Sequence, residues 1–366
     1  RLDDSTDMGI VATGSSIKSR YYIINTGTDT LKISSIVSSG THASEFVVSG
    51  APTKVLKNDS AMFFVTFTPT AAGIRTATIT VNNNDTNEAA YDFAVTGTGT
   101  SCTLSQLGID IDGEATNDQS GWSVSLSDDG LTVAIGAKYN VGGGSNNGHV
   151  RVYKNISGTW TQQGADIDGE ANGDQSGHSV SLSADGLTVA IGAIGNNGGG
   201  LIRGHVRVYK LINGTWTQQG SDIDGEADYD QSGWSVSLSD DGLTVAIGAI
   251  NNLGGGTYYR GHVRVYKLIS GTWTQQGADI NGEADYDNSG WSVSLSADGL
   301  TLAIGVPFND GNGSNSGHVR VYKYTSGTWT QQGADIDGEA NFDESGYSVS
   351  LSADGLTLAI GAHLNE

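Results

Sequence analysis

The stretch DIDGEATNDQSGWSVSLSDDG, residues 110–130, decides how this chain is read, because it returns four times. Near-copies begin at Asp166, Asp222, Asp279 and Asp335, at intervals of 56, 56, 57 and 56 residues. A fixed period of this length is the signature of stacked supersecondary units. Behind the acidic motif each unit reads as four short strands, in the first copy GWSVSLS (121–127), LTVAIGA (131–137), GHVRVYK (148–154) and GTWTQQG (158–164). Four strands per unit at this period fit one blade of a β-propeller.

The alternation along the strands supports blades. Trp122, Val124 and Leu126 share one face of the first strand, and Ser123, Ser125 and Ser127 share the other. In the second strand Leu131, Val133 and Ile135 alternate with Thr132, Ala134 and Gly136. One face is bulky, one is small, and neither is charged. Sheets packed face to face around an axis need that asymmetry, because the bulky face of one blade meets the small face of the next. Four units are complete and a fifth stops after LTLAIGAHLNE, while the leading CTLSQLG aligns with the fourth strand. An open ring leaves strand edges unpaired. The expectation is therefore that the protein continues beyond Glu366 and that this segment packs against the rest of its own longer chain.

Residues 1 to about 100 do not repeat. RYYIIN (20–25), LKISSIV (31–37), EFVVSG (45–50), AMFFVTFTP (61–69), RTATITVN (75–82) and YDFAVTG (91–97) alternate and are separated by turn residues. That pattern predicts a β-sandwich of about seven short strands. The fold class is all-β: an Ig-like sandwich over residues 1–100, then a partial propeller of four-stranded blades over 101–366.

Composition narrows the function. The chain has 366 residues with 54 glycines, three prolines and one cysteine, and a formal charge of −22. An acidic surface repels phosphate, so nucleic acid and anionic membranes are poor partners. Cys102 cannot form an internal disulfide and reads as a small buried hydrophobe. No apolar run reaches 18 residues, so no membrane insertion is expected in this segment.

Two resemblances add to this. IINTGTDTLKISSI, FFVTFTPTAAGIRTATITVNNND and YDFAVTGTG, within residues 9–99, resemble the choice-of-anchor D domain, an Ig-like module related to ASH domains. The resemblance implies a spacer in a bacterial surface protein, without catalytic residues. SGWSVSLSADGLTLAIGVP (289–307) and GHVRVYK…GTWTQQ resemble FG-GAP repeats, the integrin-α-like propeller family, over residues 102–366. This chain departs from that family twice. Phe-Gly is replaced by Ser-Gly, and the family's calcium loop between strands one and two is cut to the tight turn SDDG or SADG, too short to wrap a cation. The two resemblances together imply an extracellular adhesin on a bacterial cell surface.

The acidic motif carries candidate metal ligands at relative positions 1, 3, 5 and 9. They are Asp110, Asp112, Glu114 and Asp118; Asp166, Asp168, Glu170 and Asp174; Asp222, Asp224, Glu226 and Asp230; Asp279, Asn281, Glu283 and Asp287; and Asp335, Asp337, Glu339 and Asp343. Calcium takes six to eight oxygens from such flexible loops. No cofactor is required by this reading, and calcium is the candidate cation. Against it, glycine falls at position 4 rather than the position 6 of an EF-hand loop. The competing reading is a blade-to-blade crossing whose first Asp-Ile-Asp ends a strand, with a buried Ile, solvent-facing acids, and a third acid capping a turn.

The variable loops between strands two and three open on the same side as the motif. They supply Tyr139, Tyr258, Tyr259, Phe308 and Asp310 as candidate ligand-binding residues. His149, His205, His262 and His318 recur once per blade and read as packing or hydrogen-bonding groups. Arg151, Arg207, Arg264 and Arg320 share that strand face and are expected to pair with carboxylates of a neighbouring blade. Catalysis needs an asymmetric set of groups, and these repeats are too alike to supply one. The sequence therefore leads us to expect a non-catalytic adhesion module whose partner is a glycan or a protein on another surface. A structural stalk or filament component without a specific ligand is the alternative, and part of a propeller enzyme, with its site in blades beyond Glu366, is the third reading.

Overall fold

The computed structural model describes residues 5–101, 105–142 and 145–365. Cys102, the start of CTLSQLG, and Gly143 and Gly144 of the first long loop lie outside the described residues. The chain divides into two compact units, residues 1–106 and 107–366. No α-helix occurs among the described residues; one 3₁₀ turn, Ala43–Glu45, interrupts the strands.

Among the described residues the first unit has eight strands: β1 (Ser5–Ala12), β2 (Ile17–Asn25), β3 (Leu31–Ser39), β4 (Phe46–Ser49), β5 (Lys54–Val55), β6 (Asp59–Phe67), β7 (Gly73–Asn83) and β8 (Ala90–Thr100). They form two sheets, in the orders β1-β8-β7-β3-β5 and β2-β6-β4. The six strand-like runs of the sequence all become strands. The two additions are the short β5 and β1, which joins the edge of the first sheet parallel to β8. Every second residue of β6 and β7 points inward, so Phe63, Val65, Phe67, Ala77, Ile79 and Val81 form the core with Phe46 and Val95. The Phe46 and Phe67 rings stack with their centroids 4.6 Å apart.

The second unit consists of blades. In blade 1 the inner strand is Ser120–Leu126, the second Thr132–Ala137, the third His149–Ile156 and the outer Thr159–Gln162. Each is antiparallel to the last. The outer strand breaks after Gln162, and Ile167–Asp168 returns to pair with the start of the third strand. Blades 2, 3 and 4 repeat this plan with inner strands Ser176–Leu182, Ser232–Leu238 and Ser292–Leu295. Blade 5 contributes Ser345–Leu351 and Leu358–Ala362.

The bulky face of each blade packs on the small face of the one before it. Ala134, Val150, Val152 and Ile167 of blade 1 enclose one core with Val180, Leu182, Val189 and Ile191 of blade 2. The Ser123 hydroxyl donates to the Gly177 carbonyl at 2.8 Å, and the Leu182 N–H donates to the Ser125 hydroxyl at 2.9 Å. A Cβ on Gly136 would collide with the Gly177 carbonyl oxygen, and Gly177 itself sits at φ +85°. The Ser-Gly pair that replaces the family's Phe-Gly is therefore a point of close backbone approach. Outside, each outer-strand Trp ties neighbouring crossings together: the Trp216 indole N–H donates to the Gln163 carbonyl at 2.6 Å.

The end blades show the same two faces without a cover. On blade 1 Val124 is 63% exposed and Leu126 57%, whereas the equivalent Val180 and Leu182 of blade 2 are 9% and 7% exposed. On blade 5 Ser348, Ser350 and Ala359 of the small face are exposed.

Candidate functional site

The acidic crossings carry the first part of the site, and the structure sends their four positions to different places. Position 9 turns inward. Asp230 is buried, and its Oδ2 accepts from the Glu226 and Ala227 backbone N–H groups at 3.1 and 2.8 Å and from the Asn252 side-chain amide at 2.9 Å. Asp174 and Asp287 make the same three bonds, and Asp118 and Asp343 are buried in the same place. This acid, rather than the third, caps the turn, and it also fixes the start of the loop between strands two and three.

Position 1 lies at the break in the outer strand. The Asp166 Oδ1 accepts from the Gln162 side-chain amide at 2.6 Å, and Asp222, Asp279 and Asp335 are held likewise by Gln218, Gln275 and Gln331. Position 3 falls in the short return strand beside an Ile that is buried at 167, 223 and 280, half-buried at 111 and exposed at 336. Position 5 faces an arginine of the following third strand. Glu170 Oε1 lies 3.4 Å from Arg207 Nη1, while the other Arg207 nitrogen donates to the Asp168 carbonyl at 2.7 Å. Arg151, Arg264 and Arg320 repeat the arrangement with Glu114, Glu226 and Glu283.

The four residues of one copy thus do not form one loop around a cation. The structure instead assembles Glu from one crossing, the strand-three His and the first Asp of the next crossing. Four such groups result among the described residues: Glu114, His149 and Asp166; Glu170, His205 and Asp222; Glu226, His262 and Asp279; Glu283, His318 and Asp335. Burial first, and then the adjacent arginine, hold the His205, His262 and His318 imidazoles below their ordinary range, His262 at about 4. The short SDDG and SADG turns keep their acids for themselves. The Asp129 Oδ1 accepts from the Ser127 hydroxyl at 2.6 Å and from the Leu131 N–H at 2.9 Å, bonds that pull its pKa down.

A second part of the site was not read from the sequence. The inner strands of successive blades lie side by side, and the residue that follows the Ser-Gly pair of each is Trp122, His178, Trp234, Trp291 and Tyr347. These rings form one continuous arc. Centroids are 5.9 Å apart from Trp122 to His178, 4.7 Å to Trp234, 4.9 Å to Trp291 and 5.4 Å to Tyr347. The arc opens beside the loops that follow strand two. Phe308 packs edge-on against Trp291 at 5.3 Å, and Lys138 Nζ lies 3.0 Å from the Trp122 centroid and 5.1 Å from that of Tyr139. Such cation–π contacts strengthen when desolvated. Burial lowers the Lys138 pKa, and burial together with the Lys138 charge lowers that of His178 to about 4.

Of the loop residues singled out by sequence, Tyr139 and Phe308 therefore join the arc. Tyr258 and Tyr259 instead pack on Tyr286, at 5.0 and 6.2 Å. Asp310 accepts from the Asn315 N–H within its own loop at 2.8 Å. Tyr286, Tyr229 and Phe342 share position 8 of the acidic motif. They hold φ of +74°, +69° and +67°, and more than half of each side chain is exposed. A bulky residue at positive φ is strained, and the first two copies place Asn117 and Gly173 there instead. The signal that could have found these rings was their recurrence at one repeat position.

The comparisons with known proteins follow this division. The family described as HYDIN/CFA65/VesB-like, Ig-like domain matches residues 1–97, and the FG-GAP repeat matches residues 110–153 and 281–322. The chain thus carries an N-terminal Ig-like domain followed by FG-GAP propeller repeats. No curated protein matches it. Among solved structures it is similar to a protein of unknown function from Porphyromonas gingivalis at 18% identity and a TM-score of 0.24, covering 27% of this chain and 45% of that one. It is similar to the periplasmic gluconolactonase of Pseudomonas aeruginosa at 17% identity and a TM-score of 0.45, covering 80% and 72%. A putative 6-phosphogluconolactonase from Bacteroides uniformis follows at 12% identity and a TM-score of 0.42, covering 84% of each chain. The expectation of a non-catalytic chain is corrected by these findings: enzymes stand among its structural neighbours. At these scores the likeness transfers no reaction.

Proposed function

We propose that the second unit is a ligand-binding β-propeller of an extracellular protein on a bacterial cell surface, and that its ligand is a glycan. The observation that carries this reading is the arc of Trp122, His178, Trp234, Trp291 and Tyr347 at one mouth of the blades. Aromatic rings that are apolar on the face and partly wet are the usual anchors of a binding site. Trp234 and Trp291 are half-buried, which fixes their orientation and leaves ring surface open. Amides stand next to them: the Asn251 side chain donates to Gln231 at 2.9 Å, and the Asn288 side chain donates to the Ile250 carbonyl at 3.0 Å. Apolar faces interleaved with amides suit the C–H and hydroxyl faces of a sugar. The charge of −22 disfavours stacked nucleic-acid bases as the alternative ligand.

A glycan array probed with the whole chain tests this, followed by titration calorimetry on the best sugar. Trp234→Ala and Trp291→Ala are expected to weaken binding at least tenfold, while Tyr258→Ala, at a ring that packs on Tyr286 instead, changes it little. Failure to bind any glycan, or binding indifferent to both Trp variants, would overturn the reading. Capture of a protein in place of sugars would redirect it to a protein ligand.

A second reading, a structural element of a larger assembly, is favoured by the uncovered end faces. Val124 and Leu126 on blade 1 and Ser348 and Ser350 on blade 5 are the two halves of the contact made between every other pair of blades.

A further inference from the structure

We infer that the four Glu–His–Asp groups along the third strands are sites for a divalent transition-metal ion of the zinc class, independent of the glycan reading above. The same three residue types meet in all four blades, with the His Nδ1 3.7 Å from both Glu114 and Asp166 in the first, 3.7 Å from Asp222 and Asp335 in the second and fourth, and 3.8 Å from Glu226 in the third. A histidine at the start of the third strand presents its ring to a glutamate from the crossing before it and an aspartate from the crossing after it. In each group one ligand atom per residue lies within 4.8 Å of the others.

The second blade shows why these are more than acidic clusters. His205 is 1% exposed, and neither ring nitrogen has a hydrogen-bond partner. Its Nδ1 faces the Asp222 Oδ2 at 3.7 Å and Asp224 at 4.0 Å. A buried imidazole left without a partner is costly. The same His is therefore aimed at carboxylate oxygens from a distance too long to bond them and of the right order to share a cation with them. A zinc ion with bonds of about 2.0–2.2 Å needs a tetrahedral ligand spacing of about 3.3–3.6 Å. The inward shift required runs from about 0.1 Å for the closest pairs to at most about 1.5 Å, and it falls on the solvent-facing Glu and Asp side chains rather than on the fixed His.

Each carboxylate is also oriented from behind. Gln218 holds Asp222 by its Oδ1 and leaves Oδ2 toward the ring, while Arg207 holds Glu170 by Oε1. Outer partners of this kind set the direction of metal ligands. One imidazole with two carboxylates is a borderline-soft donor set, suited to zinc, cobalt or nickel. Calcium is excluded from it, because that ion takes oxygen ligands.

The test is zinc chloride titrated into the untagged, chelator-treated whole chain, with bound metal counted by mass spectrometry after dialysis. Four equivalents are expected, with none displaced by excess calcium. Asp222→Asn and Glu170→Gln alter one site at partly exposed positions and should each lower the count from four to three without moving the melting temperature of the metal-free chain. His205→Gln should do the same if it folds. Cobalt(II) should give the visible absorption of a nitrogen- and oxygen-bound ion, reduced by about a quarter in each variant. No retained zinc, or a count unchanged by Asp222→Asn and Glu170→Gln, would overturn the assignment and leave the histidines as structural groups.

Discussion

The Ser179 hydroxyl donates to the Gly233 carbonyl at 2.7 Å, across the contact between blades 2 and 3. Directly beside it, a Cβ on Gly192 would strike both that carbonyl oxygen and the Ser179 hydroxyl. The bond and the missing side chain act together. The inner strands approach closely enough for a serine to bridge them because the second strand carries no Cβ at that point. Gly192→Ala is therefore expected to destabilise the propeller by about 1–3 kcal/mol through overpacking. Ser179→Ala should cost about 1 kcal/mol, the net worth of one such bond. Urea unfolding of both variants is the check; a Gly192→Ala protein as stable as the parent would mean that the blades are not so tightly seated.

The buried capping acids make a sharper contrast. Asp230 satisfies two backbone N–H groups and the Asn252 amide, whereas Asp224, six residues earlier, is exposed. Asp230→Ala would leave three donors without their acceptor and is expected to cost about 2–4 kcal/mol. Asp224→Ala should fall within about 0.5 kcal/mol of the parent. Equal effects on thermal unfolding would show that position 9 is no more structural than position 3.

Much of the architecture was legible because it repeats. A 56-residue period, a bulky and a small face on each inner strand, and turn residues at fixed offsets admit few folds besides blades. In the first unit, strand alternation located the six main strands. β5 escaped because two residues carry no period, and β1 because its pairing is long-range. The site was harder to read. Glu170 and Asp222 lie 52 residues apart in sequence, and what joins them is the path of the crossings around the third strand. Spacing within one motif copy cannot show that path. The aromatic arc was hidden for another reason. Trp122 occupies the bulky face that also supplies core residues such as Leu182, and His178 in the second copy breaks the aromatic series. Only the adjacency of five inner strands turns those positions into a surface.

Acid should weaken the propeller in a defined window. His178 lies between Trp122 and Trp234, and burial with the Lys138 charge holds it at about 4, against an ordinary 6.5. Its folded pKa is below its unfolded one. Between those values the unfolded chain binds the extra proton, so stability rises with pH there. The contribution is complete above about pH 6.5, is lost as pH falls toward 4, and amounts to roughly 3 kcal/mol. His178→Phe keeps an apolar ring and removes the titration. Melting temperatures measured between pH 7 and 4 should fall less steeply in this variant than in the parent. Parallel curves would show that His178 is not the neutral buried group described here.

The uncovered end faces give the last expectation. Blade 1 presents Val124 and Leu126, 63% and 57% exposed, on the face that elsewhere is covered by serines and glycines of a preceding blade. Blade 5 presents such a small face, with Ser348 and Ser350 exposed. These two faces are complementary by repetition, since the same contact is made four times within the chain. An apolar patch of this kind on a β-sheet is also an association hazard. Light scattering across a concentration series should therefore show head-to-tail self-association of the chain. Val124→Lys should abolish it by placing an unpaired charge in the contact, without lowering stability, because the parent residue is exposed. Trp122 is left intact in this variant, so glycan binding through the arc should persist. A chain that stays monomeric at high concentration, or that associates equally well with Lys at position 124, would mean that the two end faces do not recognise each other.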